Sequence, residues 1–587
     1  MHPVAAVDPD DGGLVAIRLG IHAGSTERLG PIRGKALDML RMKTVAERMA
    51  DYFVGHHPAV PRAGKTSQAF HPARCFEDSP HASIMTSVPR PGKTTAANNE
   101  FARAASYHLS MKRLLSLLPF CVAVLFAQVR YTFQPGDTIL RGGWVFDSIY
   151  DGVRRNIGIV VRNGEFLEVD ANLAGRDLGA ARVVNLADDE YILPGLFDLH
   201  AHFAVDLFGA GRVDEYTVNP LLFLANGVTS TFPAGEVDPE GMMEARKRID
   251  NGQQIGPRIM NSGPYFGSAR PGWNSVAMTP EAIRADVRKW AALGIKGLKA
   301  KGIHPDQLAA LIDEGHRHGL TVTGHLDSGF RNSVNPRDAI AMGIDRVEHF
   351  MGGDALTPDK SAYSSLEHLD TASPEVAAIF KTYLSQNVYF DATLATYGSF
   401  SDRQPKELYE YWTNEMDFLT PYARTVVESH LPRRNNEQFG RLLTAKLKEV
   451  KAFYDAGGPS LITLGTDHPS WGEFWSGFMS HRELQALVLA GIPPAAALKI
   501  GTINGARAFN MGTKLGAIER GRWADLFVVQ GNPLDDIRNT RKVKMVMKAG
   551  EIYDPSVLLA SAKGKMGPVS AEDAAWWKGN LRFAKSQ

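Results

Sequence analysis

Two histidines two residues apart, His200 and His202 in LPGLFDLHAHF, would project both imidazoles from one face of an extended strand, where a single metal ion could take both. Further along, His325 in TVTGHLD, His349 in DRVEHF and Asp467 in LGTDHP each stand where a β-rich run gives out. Imidazole and carboxylate donors in this mixture suit borderline divalent ions such as zinc. One histidine at a strand terminus is as easily a hydrogen-bonded core residue. Several candidate ligands at matching strand ends are hard to explain as packing. The run GLKAKG supplies lysines instead. An ammonium has no lone pair for a metal, so a lysine joins such a set only after losing its proton or becoming a carbamate, which turns it into a bridging carboxylate. Lys299 is the candidate; Lys301 shares its strand parity and Lys296 precedes the strand, so the sequence does not separate Lys299 from Lys301.

These residues need a scaffold that gathers strand ends. From Tyr191 onward, β-rich runs alternate with segments of helical period. The predicted strands are Tyr191 to His200, Val228 to Pro233, Arg258 to Gly263, Gly297 to Lys301, Thr321 to His325, Asp345 to His349, Val388 to Thr393 and Leu461 to Thr466. Eight such repeats imply a (β/α)8 TIM barrel, an α/β fold whose sites lie at the C-terminal strand ends. Amphipathic helices are expected over Glu281 to Leu293, with Ile283, Val287 and Trp290 on one face, and over Asp306 to His318, with Leu308, Leu311 and Ile312. The flanks carry short strands and turns, including VRNGE, where Asn163-Gly164 marks a hairpin. They are expected to meet as a small composite β-sandwich, 128–190 plus 514–587, around a barrel domain at 191–513.

The bulk properties exclude other classes. Lys plus Arg total 65 against 64 Asp plus Glu, which leaves no basic field for nucleic acid or an anionic membrane. The two cysteines, Cys75 and Cys121, both precede the enzyme region, so neither a disulfide framework nor a cysteine nucleophile is expected there. From Met111 the chain reads MKRLLSLLPFCVAVLFAQ, the layout of a secretory signal, expected over 111–127. Its apolar run is short of the about 20 residues that a membrane span needs. Residues 1–110, rich in Pro, Gly, His and Arg, are expected to be disordered or to lie upstream of the true start at Met111. Export then follows if translation starts at Met111, and a cytoplasmic location if it does not. No stable membrane association is expected after signal removal, and homo-oligomerisation is left open.

PGLFDLHAH and TINGARAFNMGTKLGAIERGRWADLFVVQGNPL resemble the strand-one signature and the C-terminal return of the metal-dependent amidohydrolase superfamily, particularly its prolidase-like and imidazolonepropionase-like members. The resemblance runs from about Asp137 to Asp554. It implies a centre of two divalent ions, expected to be Zn2+, with His200, His202 and Asp467 on the more buried one and His325 and His349 on the more exposed one. It further implies that N-carboxylated Lys299 bridges them, because Gly294-Ile295-Lys296-Gly297-Leu298-Lys299 fits the family's register. The segment after Lys299 lacks the glycine-rich stretch of many prolidase-like relatives, which leaves the substrate subgroup open.

Such a centre activates a water, with Asp467 as the general base that passes its proton to the leaving nitrogen. The expected reaction is hydrolysis of a C–N bond, an amide, cyclic amide or dipeptide, in a small molecule. A mononuclear deaminase would carry a helical His-x-x-x-Glu near strand five, which is absent after His325. Phosphotriesterase or lactonase chemistry at the same centre is the alternative enzymatic reading, and a scaffold that has lost catalysis the non-enzymatic one. Tyr265 and Arg270 after strand three, and the aromatics Tyr397, Phe400, Tyr409, Tyr411, Trp412, Phe418, Trp471, Phe474 and Trp475 in the last two long loops, are expected near the mouth with no assigned contact.

Overall fold

The computed structural model describes residues 131–208, 211–430, 437–470 and 476–575. The upstream region 1–110, the signal-like segment 111–127, both cysteines and the loop aromatics Trp471, Phe474 and Trp475 lie outside the described residues. Among the described residues no helix is long and apolar enough to cross a membrane.

The parallel strands that carry the site are β1 (Leu196–Ala201), β2 (Val228–Pro233), β3 (Arg258–Ile259), β4 (Gly297–Lys301), β5 (Thr321–His325), β6 (Arg346–Glu348), β7 (Tyr389–Asp391) and β8 (Ile462–Thr463). They fall in two sheets: β1 to β3, and β4 to β8 with the short strand Tyr265–Phe266 at the β4 edge. Backbone hydrogen bonds link the sheets at both sides. After β8, Leu464 O accepts from Leu199 N at 2.9 Å and Asp467 N donates to His200 O at 2.7 Å. After β3, Asn261 O accepts from Lys296 N at 2.8 Å. The result is a TIM-barrel-like α/β fold whose strands are nearly all buried, as expected of parallel strands covered on both faces. The covering helices include Pro280–Ala292 and Pro305–Arg317, within a residue of the predicted bounds, each with proline in its first turn. Ile283, Val287 and Trp290 of the first are buried.

The flanks meet in one eight-stranded sheet, where Leu526–Gln530 pairs antiparallel with Arg182–Pro194. Its hairpin turns at Asn163 and Gly164, both at positive φ, as the Asn-Gly pair requires. The single strand expected over Tyr191 to His200 is two strands. Gly195 separates them: its N–H goes to Asp525 of the flanking sheet, while the next N–H, of Leu196, goes to Gly227 beside β2. A Cβ at 195 would collide with the Thr229 side chain, so only glycine permits this handover.

Candidate active site

Every residue singled out for chemistry comes to one end of the parallel strands. His200 closes β1, Lys299 lies in β4, His325 ends β5, and His349 and Asp467 follow β6 and β8. The imidazole rings form a chain, with centroid separations of 5.3 Å for His200–His202, 4.9 Å for His200–His349 and 4.3 Å for His325–His349. Asp467 Oδ1 lies 2.9 Å from His202 Nε2 and 3.3 Å from His200 Nε2. Lys299 Nζ is 3.5 Å from His200 Nε2 and touches the Glu348 carboxylate. The two lysines part company here: Lys299 is 1% exposed, while Lys301 is half-buried and lines the cavity above.

Two residues that sequence reasoning missed complete the floor. Glu348 and Asp391, the last residues of β6 and β7, are paired in register and fully buried. Their signal was present, since each ends a strand, but strand parity argued for His349 or for Glu348, not both. The backbone resolves the conflict. His349, Thr393 and Asp467 all adopt left-handed φ, at 66°, 48° and 55°, which turns the chain back at the strand end. Such non-glycine positions cost on the order of 1–3 kcal/mol each and concentrate at functional sites. Gly465 makes room as well, because a methyl there would collide with the Asp391 carboxylate.

The electrostatics suit a metal. Burial pushes the His200, His325 and His349 imidazoles well below their usual range, so each offers a lone pair. Burial likewise drives Lys299 well below the usual lysine value, toward the neutral amine. Burial pushes Asp467 up, but His200 and His202 outweigh it and hold it well below the usual carboxylate range. The Thr393 hydroxyl donates to Ala392 O and so accepts from His349 Nδ1 at 2.7 Å, leaving Nε2 as the free electron pair. Among the described residues, His200 Nδ1, His349 Nε2 and both Asp391 oxygens are buried with no hydrogen-bond partner. Groups of one ligand atom each, from His200, His202 and Asp467 and from His200, Glu348 and His349, lie within 4.8 Å of one another. Orphaned nitrogens and carboxylates at this spacing fit a divalent cation.

A cavity of about 1280 Å3 opens above, floored by His202, His325 and Asp467. Tyr363, Tyr397, Phe400 and Phe439 form one aromatic wall, and Phe208 stacks on His430 on another, with ring centroids 4.7 Å apart. Tyr265 and Arg212 also line it, Arg212 paired with Asp206 at 3.0 Å. Arg270 does not line it and instead pairs with Asp286. Of the other loop aromatics, Tyr409 and Phe418 are buried in the core. Arg482 and Arg541 both lie over the Trp412 ring, and Arg403 over that of Tyr411.

An adenine deaminase of Rhizobium meliloti is 23% identical over 416 residues, 67% of this chain and 55% of its own length. An ochratoxinase of Aspergillus niger is 22% identical over 427 residues, 62% of this chain and 75% of its own. The crystal structure of a Xaa-Pro dipeptidase superposes with a TM-score of 0.54 at 19% identity, covering 71% of this chain and 100% of that one, a likeness of fold. The sequence profile of the amidohydrolase family matches residues 191–553, the whole span that builds the strand ends and the return into the flanking sheet. The chain belongs to the amidohydrolase family.

Proposed function

We propose that the protein hydrolyses a C–N bond in a small molecule, an amide, cyclic amide or dipeptide, at a two-metal centre with Zn2+ as the expected ion. His200, His202 and Asp467 would hold one ion and His325 and His349 the other, with Lys299 as a bridging carbamate. Divalent ions bound there supply an activated water near neutral pH and polarise the scissile carbonyl. The observation that carries the reading is the convergence of four imidazoles, the Asp467 carboxylate and the buried Lys299 side chain beneath one cavity, with burial driving Lys299 well below its usual range.

The chain's own residues do the rest. A neutral Lys299 amine can attack CO2, as carbamate formation requires, whereas an ammonium cannot. Asp467 faces the cavity as a carboxylate, placed to take a proton from water and return it to the departing nitrogen. The Tyr265 hydroxyl, which burial keeps protonated, is a donor for the substrate. The aromatic wall takes an apolar substituent. Lys301, which among the described residues meets no carboxylate within ion-pair distance, offers a cation to an anionic one. We also read the two parallel sheets as one closed (β/α)8 barrel over 191–513, and the flanking sheet as part of a composite sandwich; the linking backbone bonds support this.

The test is a panel of N-acyl amino acids, dipeptides and cyclic amides beside aryl esters, lactones and phosphotriesters, assayed with zinc. Amide turnover that disappears on chelation is the expected result. Turnover of esters or phosphotriesters alone would move the assignment to those substrates, and no turnover of any would favour a scaffold.

A further inference from the structure

His349 owes its position to more than its strand. The peptide after β6 makes a γ-turn of the rare positive-φ kind, with Phe350 N donating to Glu348 O at 2.8 Å across His349. That turn leaves His349 O and Met351 N outside any strand or helix. Both are taken by side chains from one distant helix, Glu437–Asp455: Lys446 Nζ donates to His349 O, and Met351 N donates to Glu449 Oε1 at 3.3 Å. Lys446 and Glu449 are each 1% exposed, one helical turn apart. The lysine ammonium also sits over the rings of Tyr397, at 4.4 Å, and Phe350, at 5.5 Å.

Burying a lysine and a glutamate is a poor way to gain stability, because apolar residues of equal volume do at least as well. Here the two charges hold the backbone on either side of Phe350, and with it the direction of the His349 ring, whose Nδ1 is already fixed by Thr393. The same helix carries Phe439 into the cavity wall beside Tyr397, the wall residue whose ring Lys446 covers. We infer that Lys446 and Glu449 are positioning residues that hold His349 in metal-binding geometry, so that this helix sets the affinity of the ion bound by His325 and His349. The inference rests on the two-metal reading above.

The test titrates metal-free full-length protein with Co2+, following visible absorption and competition with a chelator, for the wild type, Lys446→Met and the double variant Lys446→Met/Glu449→Gln. The wild type should show two binding events. In both variants one event should weaken by about 10–100-fold, the usual effect of losing an outer-shell support, while the other stays unchanged. The double variant removes both charges and their burial penalty, so it reports on positioning even if Lys446→Met alone fails to fold. A folded double variant with two events of wild-type affinity would overturn the inference and leave the two-metal centre standing. A single event in the wild type would overturn the two-metal reading itself, and this inference with it.

Discussion

Lys299 Nζ touches the Glu348 carboxylate and lies 3.5 Å from His200 Nε2, with all three side chains at most 2% exposed. A lysine so placed cannot serve as a surface charge. Lys301, two residues on, faces the cavity, and that division of labour separates their variants.

Lys301→Met should retain the metal content and the kcat of wild type while raising KM for carboxylate-bearing amides by roughly ten- to a hundredfold, the worth of one charge-assisted hydrogen bond. Steady-state kinetics on matched anionic and neutral amides check it. An equal effect on neutral substrates would contradict the assignment.

Asp467→Asn should lower kcat by about 10^2–10^4-fold, the usual contribution of a general base, with much of the metal retained. Elemental analysis beside the rate measurement distinguishes loss of the base from loss of the site. Near-normal turnover would remove Asp467 from the proton-transfer role.

Arg482 and Glu415 form a two-contact ion pair at 2.8 and 3.1 Å, 1% and 0% exposed, with Arg482 stacked on Trp412. Arg482→Met takes both of these contacts from the buried Glu415 carboxylate and should cost about 3–5 kcal/mol of folding stability. Denaturant unfolding measures it, and a loss below about 1 kcal/mol would show that the pair is solvated in solution.

Glu483 has its carboxyl raised to about 8, chiefly by burial, despite accepting from Leu394 N and Ala395 N at 2.8 and 2.7 Å. Between the ordinary glutamate value and about 8 the folded chain holds a proton that the unfolded chain has released, so this residue makes stability fall as pH rises through that window. Glu483→Gln should flatten the slope of unfolding free energy between about pH 5 and 8. An unchanged slope would show that Glu483 is ionised in the folded protein.

The scaffold was readable because period and strand-end position are local properties: β2, β4 and β5 lie where they were expected, and the histidines announced themselves by type. Glu348 and Asp391 were hidden because a carboxylate at a strand end looks like any other until its neighbours are known. The positive φ of His349 and Asp467 defeats the parity rule that would have sorted ligands from packing. Lys446 and Glu449 are about a hundred residues from His349, and nothing in a helical pattern says which backbone group a buried lysine will reach. Tyr191 was joined to the wrong strand for a related reason, since the handover at Gly195 depends on contacts from Asp525 and Gly227.

The central claim is a bridged two-metal centre built on Lys299. Its most direct test is elemental analysis of the protein from Gln128 onward, purified with bicarbonate, beside Lys299→Ala. About two equivalents of zinc-like metal, falling in the variant, is the predicted result. One equivalent or none, unchanged in Lys299→Ala, would contradict it.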